Sequence, residues 1–248
     1  TEGVNVAGYA QGYDRQGARN QGLIDEAVAL AGKADVVVAV VGLDERSESE
    51  GLDRSTMAIP QVQNDMVDAL VATGKPVVIV LIAGSPVELP WYDGVSAILY
   101  IGLSGQAGAS ATANALTGKV NPSGHLAETW PIQYADAPNS GWYPAIGRDA
   151  IYREGPFVGY RYYTTAGVPV RFPFGYGLSY SSFSYADLKV DDNGVEFTCA
   201  RTASSRASPR SSWMPTSPRP SASSSTDTRS AISTPSPTPG MWSPANGR

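Results

Sequence analysis

Val36-Val37-Val38-Ala39-Val40-Val41, closed by Gly42, is the stretch on which the fold turns. Its apolar run is β-branched but for one alanine, which is the pattern of a strand buried on both faces. Before it, Leu23, Ala27, Val28, Leu30 and Ala31 recur at helical spacing with Asp25 and Glu26 between them. After it comes a polar loop as far as Arg54, then a helix expected from about Pro60 to a stop at Gly74. Two more apolar runs follow, Pro76 to Ile82 and Val95 to Ile101, and the small-residue segment Ala107 to Leu116 reads as a helix packed closely on a sheet. Strands alternating with helices predict a mostly parallel sheet with right-handed crossovers, a three-layer α/β sandwich.

Beyond Thr117 the texture changes. Gly, Pro and aromatic residues crowd the chain to about Val190, with Tyr152, Phe157, Tyr160, Tyr162, Tyr163, Phe172, Phe174, Tyr176 and Tyr180 close together. Such a segment wraps the α/β core or lines a binding surface, and packing is the commoner reason. Val195-Glu196-Phe197-Thr198 reads as a strand opening a β-sandwich-like element. From about Ala200 the sequence is dominated by Ser, Thr, Pro and Arg, a low-complexity composition that cannot bury a core and is expected to be a disordered tail. So abrupt a change leaves two readings, a natural low-complexity linker or, the one favoured, a reading-frame shift, which the other two frames of the gene would test. The expected organisation is a linker over 1–19, an α/β sandwich domain with its aromatic-rich segment over 20–190, and the strand and tail over 191–248.

Charge and composition exclude several classes. The chain has 248 residues and a net charge of −5, but residues 201–248 hold six Arg against one Asp, leaving 12 basic and 22 acidic residues elsewhere. An acidic body repels polyphosphates, so no nucleic-acid partner is expected; neutral sugars meet no such penalty. No apolar run approaches the roughly 20 residues that span a bilayer, so no membrane partner is expected either. The first residues have neither the basic start nor the apolar stretch of a signal peptide. A single cysteine, Cys199, permits no internal disulfide, and the one histidine, His125, no site that needs two.

Chemistry concentrates in the loop after the first strand. Asp44-Glu45-Arg46-Ser47-Glu48-Ser49-Glu50-Gly51-Leu52-Asp53-Arg54 places five carboxylates and two arginines in eleven residues. Open α/β sheets build their sites at the carboxyl ends of parallel strands. A solvated acidic loop is the plain alternative. The spacing does not match a calcium loop and no histidine is near, so no metal and no cofactor are expected.

Glu50-Gly51-Leu52-Asp53-Arg54, with Met57-Ala58-Ile59-Pro60 and Gln63, resembles the E-G-x-D-R…L-P-x-x-Q signature of family 3 glycoside hydrolases. Gly84-Ser85-Pro86-Val87 with Trp91, Gly118 with Asn121-Pro122-Ser123-Gly124, Thr129-Trp130-Pro131, Glu154 to Tyr163 and Phe172 to Tyr180 resemble further landmarks of that family, in order. The resemblance covers about Val6 to Leu188. Ala107 stands where the family often has glutamate, and His125 where Lys or Arg is common.

The resemblance implies a β-glucosidase-type retaining enzyme acting on a β-linked oligosaccharide or glycoside. In that family a (β/α)8 barrel supplies the aspartate nucleophile, and the following α/β sandwich lends an acid/base glutamate from a loop across the domain boundary. Carried over, that glutamate is Glu50, with Gly51, Asp53 and Arg54 as structural support and the last two as an internal ion pair. A retaining enzyme needs its two carboxyl groups about 5–5.5 Å apart, one of them protonated, and burial against a second domain favours the protonated form. The expected partner is therefore an N-terminal barrel of the same enzyme, absent from this stretch of sequence. Two other classes stand beside this one. One is a non-catalytic carbohydrate-binding module in which the aromatic residues stack on sugar rings. The other is a nucleotide-binding domain using Gly102 to Gly108, which lacks the acidic residue that such a site requires.

Overall fold

The computed structural model describes residues 4–145, 147–192 and 194–202. The described chain forms two compact units, divided after Leu178. In the first, α1 (Gln21–Ala31), β1 (Val37–Gly42), α2 (Gln61–Val71), β2 (Val77–Ile82), β3 (Ala97–Tyr100) and α3 (Gly108–Leu116) follow in the expected alternation. The three strands make one parallel sheet in the order β1-β2-β3, with Val37 beside Val77 and Val78 beside Ala97. β4 (Trp130–Pro131) pairs antiparallel with β5 (Val170–Phe172), and the short helix α4 (Tyr160–Ala166) lies between them in sequence.

β2 is central and buried through Leu81, and it anchors the core: Ile79 and Leu81 are completely covered, packed with Ile24 and Ala27 of α1 and Met66, Val67 and Leu70 of α2. Apolar burial of this kind stabilises by about 1.5–3 kcal/mol per large side chain. α2 starts right after Pro60, whose fixed φ suits the helix entry. The chain leaves this helix through Gly74, at φ +71°, a conformation that costs glycine nothing.

Two expectations need correction. β1 is not buried on both faces: Ala39 and Val41 are buried, but Val38 and Val40 are each 48% exposed. The exposure alternates along the strand, so one face packs on the core while the other, with Val38 and Val40, is left open by the layers among the described residues. Nor is α3 packed closely along its length, for only Gly108 is buried. That glycine fits against its own loop, where a Cβ would come within 2.1 Å of Ser104 Oγ.

The aromatic segment divides. Phe172 joins the core rim, 5.6 Å from Tyr92 and 5.9 Å from Trp130, and Trp130 meets Tyr100 edge-on at 5.1 Å. Tyr163 is buried as well, and burial pushes its hydroxyl pKa up to about 12. Tyr152, Phe157, Tyr160 and Phe174 remain exposed. His125, which showed no partner in the sequence, bonds through Nδ1 to the Gly175 carbonyl at 2.8 Å and fastens this segment.

The second unit is a hairpin of β6 (Ser182–Asp191) and β7 (Gly194–Thr202), antiparallel, with a bulge between Ala186 and Lys189 where Asp187 takes φ +55°. Val195 to Thr198, read as a strand, lie within β7, and the hairpin opens before residue 191. The tail reading falls on residues 203–248, outside the described ones.

Candidate active site

The acidic loop joins β1 to α2, and both ends are fixed by groups the fold has to satisfy. Gly42 crosses so close to β2 that a Cβ would sit 1.8 Å from the Ile82 carbonyl oxygen, so no other residue fits there. Its buried N–H donates to Gln63 Oε1 at 2.7 Å, and its carbonyl accepts from Gln63 Nε2 at 2.9 Å. A buried amide thus pairs with both polar groups of one residue, which explains the glutamine in the first turn of α2. Asn64, next on α2, accepts from Trp91 Nε1 at 2.9 Å and ties the helix to the segment after β2. At the far end the Glu88 N–H donates to the Met57 carbonyl at 2.9 Å.

Within the loop, Asp44 organises the first turn. Its Oδ1 accepts from Arg46 N, Ser47 N and Ser47 Oγ at 3.2, 3.1 and 3.0 Å. Burial alone would push this carboxyl up, but those donors and the Arg15 charge outweigh it and hold it below the usual range. Glu45 reaches out to Arg15, 2.9 Å away. Glu48 turns inward and accepts from the Gly84 N–H at 2.7 Å and from Ser85 Oγ at 3.0 Å. Ser85 Oγ is also the acceptor for Arg54 Nη1 at 2.6 Å.

A second turn follows, closed by the Leu52 N–H on the Ser49 carbonyl at 3.3 Å. Glu50 and Gly51 occupy its two central positions, and Gly51 has φ +77°, the value that the third residue of a type II turn requires. Glu50 is exposed, and no hydrogen bond or ion pair to its carboxyl is formed among the described residues.

Asp53 and Arg54 do not form the expected ion pair. Asp53 accepts from Tyr143 Oη at 3.2 Å, whereas Arg54 goes to Ser85. Among the described residues the ion pairs are Arg15–Glu45, Arg19–Asp65 and Lys189–Glu196. Each of the two adjacent side chains finds its own neighbour on a different segment, so the pair braces the loop toward two sides. Arg54 Nη2 is buried without a partner.

Ser85 and Tyr143 were not singled out from the sequence, and Glu48 stood there only as one of the loop's carboxylates, with no structural role. Their partners lie 36, 37 and 90 residues away, beyond the reach of local spacing. Gly84-Ser85 stood among the quoted landmarks, but nothing in one sequence says what a glycine and a serine receive. Nearby, Tyr100 Oη donates to the Ala83 carbonyl at 2.9 Å, and burial pushes the Glu128 carboxyl up. An open cleft of about 270 Å³ at the end of β1 is lined by Tyr13, Arg15, Gly42, Asp44 and Glu45, among others, but not by Glu50. Among the described residues no group of three or more His, Cys, Asp or Glu is placed to hold a metal ion, and no helix is long and apolar enough to cross a membrane.

The chain is thus an α/β sandwich with a parallel sheet, and the loop at its strand ends presents one unengaged carboxylate, that of Glu50. The family model for the glycosyl hydrolase family 3 C-terminal domain matches residues 5–180, and the chain belongs to that family. It is 45% identical over 193 residues to the thermostable beta-glucosidase B of Acetivibrio thermocellus, covering 77% of this chain and 25% of that protein. An exo-alpha-(1->6)-L-arabinopyranosidase of Bifidobacterium breve is 42% identical over 174 residues, covering 70% of this chain and 23% of that enzyme. Among solved structures, the GH3 beta-glucosidase of Bifidobacterium adolescentis superposes with a TM-score of 0.70 at 42% identity, over 74% of this chain and 28% of that one. The beta-glucosidase of Kluyveromyces marxianus in complex with glucose gives 0.68 at 36%, over 75% and 23%. The chain thus spans about a quarter of the length of the relatives it matches.

Proposed function

We propose that this chain supplies the general acid/base, Glu50, to a retaining glycoside hydrolase of the β-glucosidase type. Its nucleophile and most sugar-binding groups would lie on a (β/α)8 barrel in the part of the enzyme beyond this chain. One observation carries the assignment. Of the five carboxylates in the loop, Asp44, Glu45, Glu48 and Asp53 are each engaged by a named donor, whereas Glu50 stands free at the apex of its turn. A carboxyl that must accept and return a proton cannot be neutralised by a permanent partner.

In the first half-reaction Glu50, protonated, donates to the departing glycosidic oxygen while an aspartate on the barrel attacks the anomeric carbon. In the second, the ionised Glu50 takes a proton from the water that releases the sugar, so acid and base alternate on one group. Closure of a second domain over the exposed turn would exclude water from the carboxyl and favour its protonated form. The substrate class is a terminal β-linked sugar of an oligosaccharide or aryl glycoside. The sugar itself is not encoded here, since relatives named for glucosides and for arabinopyranosides match this domain almost equally well.

Replacing Glu50 in the whole enzyme tests the reading. Glu50→Ala should lower the rate on unactivated disaccharides by roughly 10² to 10⁴. Activated aryl glycosides, whose leaving group departs without a proton, should lose less in the glycosylation step. Azide should restore part of the activity by attacking the intermediate without needing a base. Near-normal disaccharide hydrolysis by Glu50→Ala would end the assignment.

A further inference from the structure

The loop carries a second glutamate whose geometry is harder to explain than that of Glu50. A carboxylate usually stays in solvent; Glu48 instead turns back toward the sheet and lies half-buried against the end of β2. Both its oxygens are used, Oε2 by the Gly84 N–H at 2.7 Å and Oε1 by Ser85 Oγ at 3.0 Å. Bonds to an ionised acceptor are about twice as strong as neutral ones.

Residue 84 is built for this approach. A Cβ there would come within 3.0 Å of Glu48 Oε1 and 3.2 Å of its Cδ, so a side chain at that position would crowd the carboxylate. Gly84 does not have a positive φ, so its lack of a side chain answers to the neighbour rather than to the backbone. From the other direction Arg54 Nη1 donates to the same Ser85 Oγ at 2.6 Å, making a chain Arg54–Ser85–Glu48 that ties the two sides of the Glu50 turn to one residue.

Only one residue separates Glu48 from Glu50. Two steps of chain span at most about 7 Å, so fixing Glu48 confines the Cα of Glu50 to a small volume. We propose that Glu48 is a positioning residue, whose carboxylate, held between the Gly84 N–H and the Ser85 hydroxyl, fixes the turn that presents Glu50; this rests on reading Glu50 as the acid/base. Glu48 itself touches no reacting atom. Its role is to keep the acid within the narrow range of positions from which a proton can pass, where a displacement of about 1 Å can cost 10²-fold in rate.

Two measurements test this, and they fail separately. The first uses the 248-residue chain and does not depend on catalysis: amide hydrogen exchange with Glu48→Ala, Glu48→Gln, Ser85→Ala and Glu45→Ala. Glu48→Ala should speed exchange at Gly84 and across residues 44–54 by tenfold or more while β2 keeps its protection. Ser85→Ala should do so more weakly, Glu48→Gln should largely restore the original pattern, and Glu45→Ala should change little. An unchanged loop in Glu48→Ala would overturn the clamp. Should Glu48→Ala fail to fold, Ser85→Ala and Gly84→Ala carry the same test, because each removes or crowds one leg and leaves the glutamate in place.

The second is a double-mutant cycle in the whole enzyme. Glu48→Ala should lower kcat on a disaccharide about 10- to 100-fold with KM little changed, and Glu48→Ala/Glu50→Ala should be no slower than Glu50→Ala alone. If the two losses multiply, Glu48 does not act through Glu50 and the proposal falls. Full activity in Glu50→Ala would instead overturn the acid/base reading, leaving the clamp to be judged by exchange.

Discussion

Gln63 shows how much of the motif serves structure rather than chemistry. Among the described residues its amide is the sole side-chain partner of the buried Gly42 peptide groups, and leaving a buried polar group unpaired costs about 1–3 kcal/mol. Gln63→Leu should therefore destabilise the chain by at least that much, read as a lower urea midpoint. Gly42→Ala should not fold at all, given the clash with Ile82. Two carboxyls should respond to pH with opposite sign. Asp44 is held below the usual range, so its contribution is complete above the ordinary aspartate pKa and is lost as pH falls through the lowered value. Burial raises Glu128, so the folded state keeps that proton longer than the unfolded one; the stability this gives at acid pH is lost as pH rises through the raised value. Glu128→Gln should accordingly raise Tm at pH 7 and change it less at pH 4, whereas Asp44→Asn should lower Tm at pH 7 and change it less below the lowered pKa. Thermal melts followed by circular dichroism check both signs, at pH 7 and 4 for Glu128→Gln and at pH 7 and well below the lowered Asp44 value for Asp44→Asn.

At the scale of elements, the sheet separates what a sequence can show from what it cannot. α1, α2 and β2 were legible because their patterns report burial directly: period 3.6 for the helices, and an unbroken apolar run for a strand covered on both faces. β1 has almost the same composition, yet Val38 and Val40 lie open. A run of valines says that a strand will form; it does not say whether another layer will pack on each of its faces, because that is decided by the rest of the fold. For the same reason Glu50 could be proposed from the sequence, whereas the contacts that hold its loop could not be read there. Glu50 sits inside a contiguous motif, whereas Glu48 meets Gly84 and Asp53 meets Tyr143 only after the chain has folded. The contrast between strands is measurable. Leu81→Ala, in the fully covered strand, should cost about 2–5 kcal/mol. Val38→Thr or Val40→Thr should change stability by less than about 0.5 kcal/mol, as surface substitutions do. A Val38→Thr penalty comparable to that of Leu81→Ala would mean that this face is covered in solution, and sedimentation would show whether a second copy covers it.

At the scale of the molecule, the proposed division of labour between domains decides what this chain would do alone. Retaining hydrolysis needs two carboxyl groups about 5–5.5 Å apart, one attacking carbon and one delivering a proton. Here Asp44, Glu45, Glu48 and Asp53 are committed to the structure of the loop, so no second carboxylate of that loop is free to act as nucleophile beside Glu50. The cleft nearest the loop does not include Glu50, so the turn projects into solvent instead of closing on a substrate. A general acid that works without a nucleophile, and in water, has neither a covalent intermediate to form nor a desolvated setting in which its proton is worth more than one from solvent. The purified 248-residue chain should therefore release no nitrophenol from 4-nitrophenyl β-glucoside above the rate of buffer, and should show no burst. Turnover that persists through repeated purification, and disappears in Glu50→Ala, would mean that the chain holds a complete site of its own. Tight binding of an oligosaccharide without turnover, centred on the exposed Trp142, Tyr152 and Phe157, would instead favour a carbohydrate-binding module.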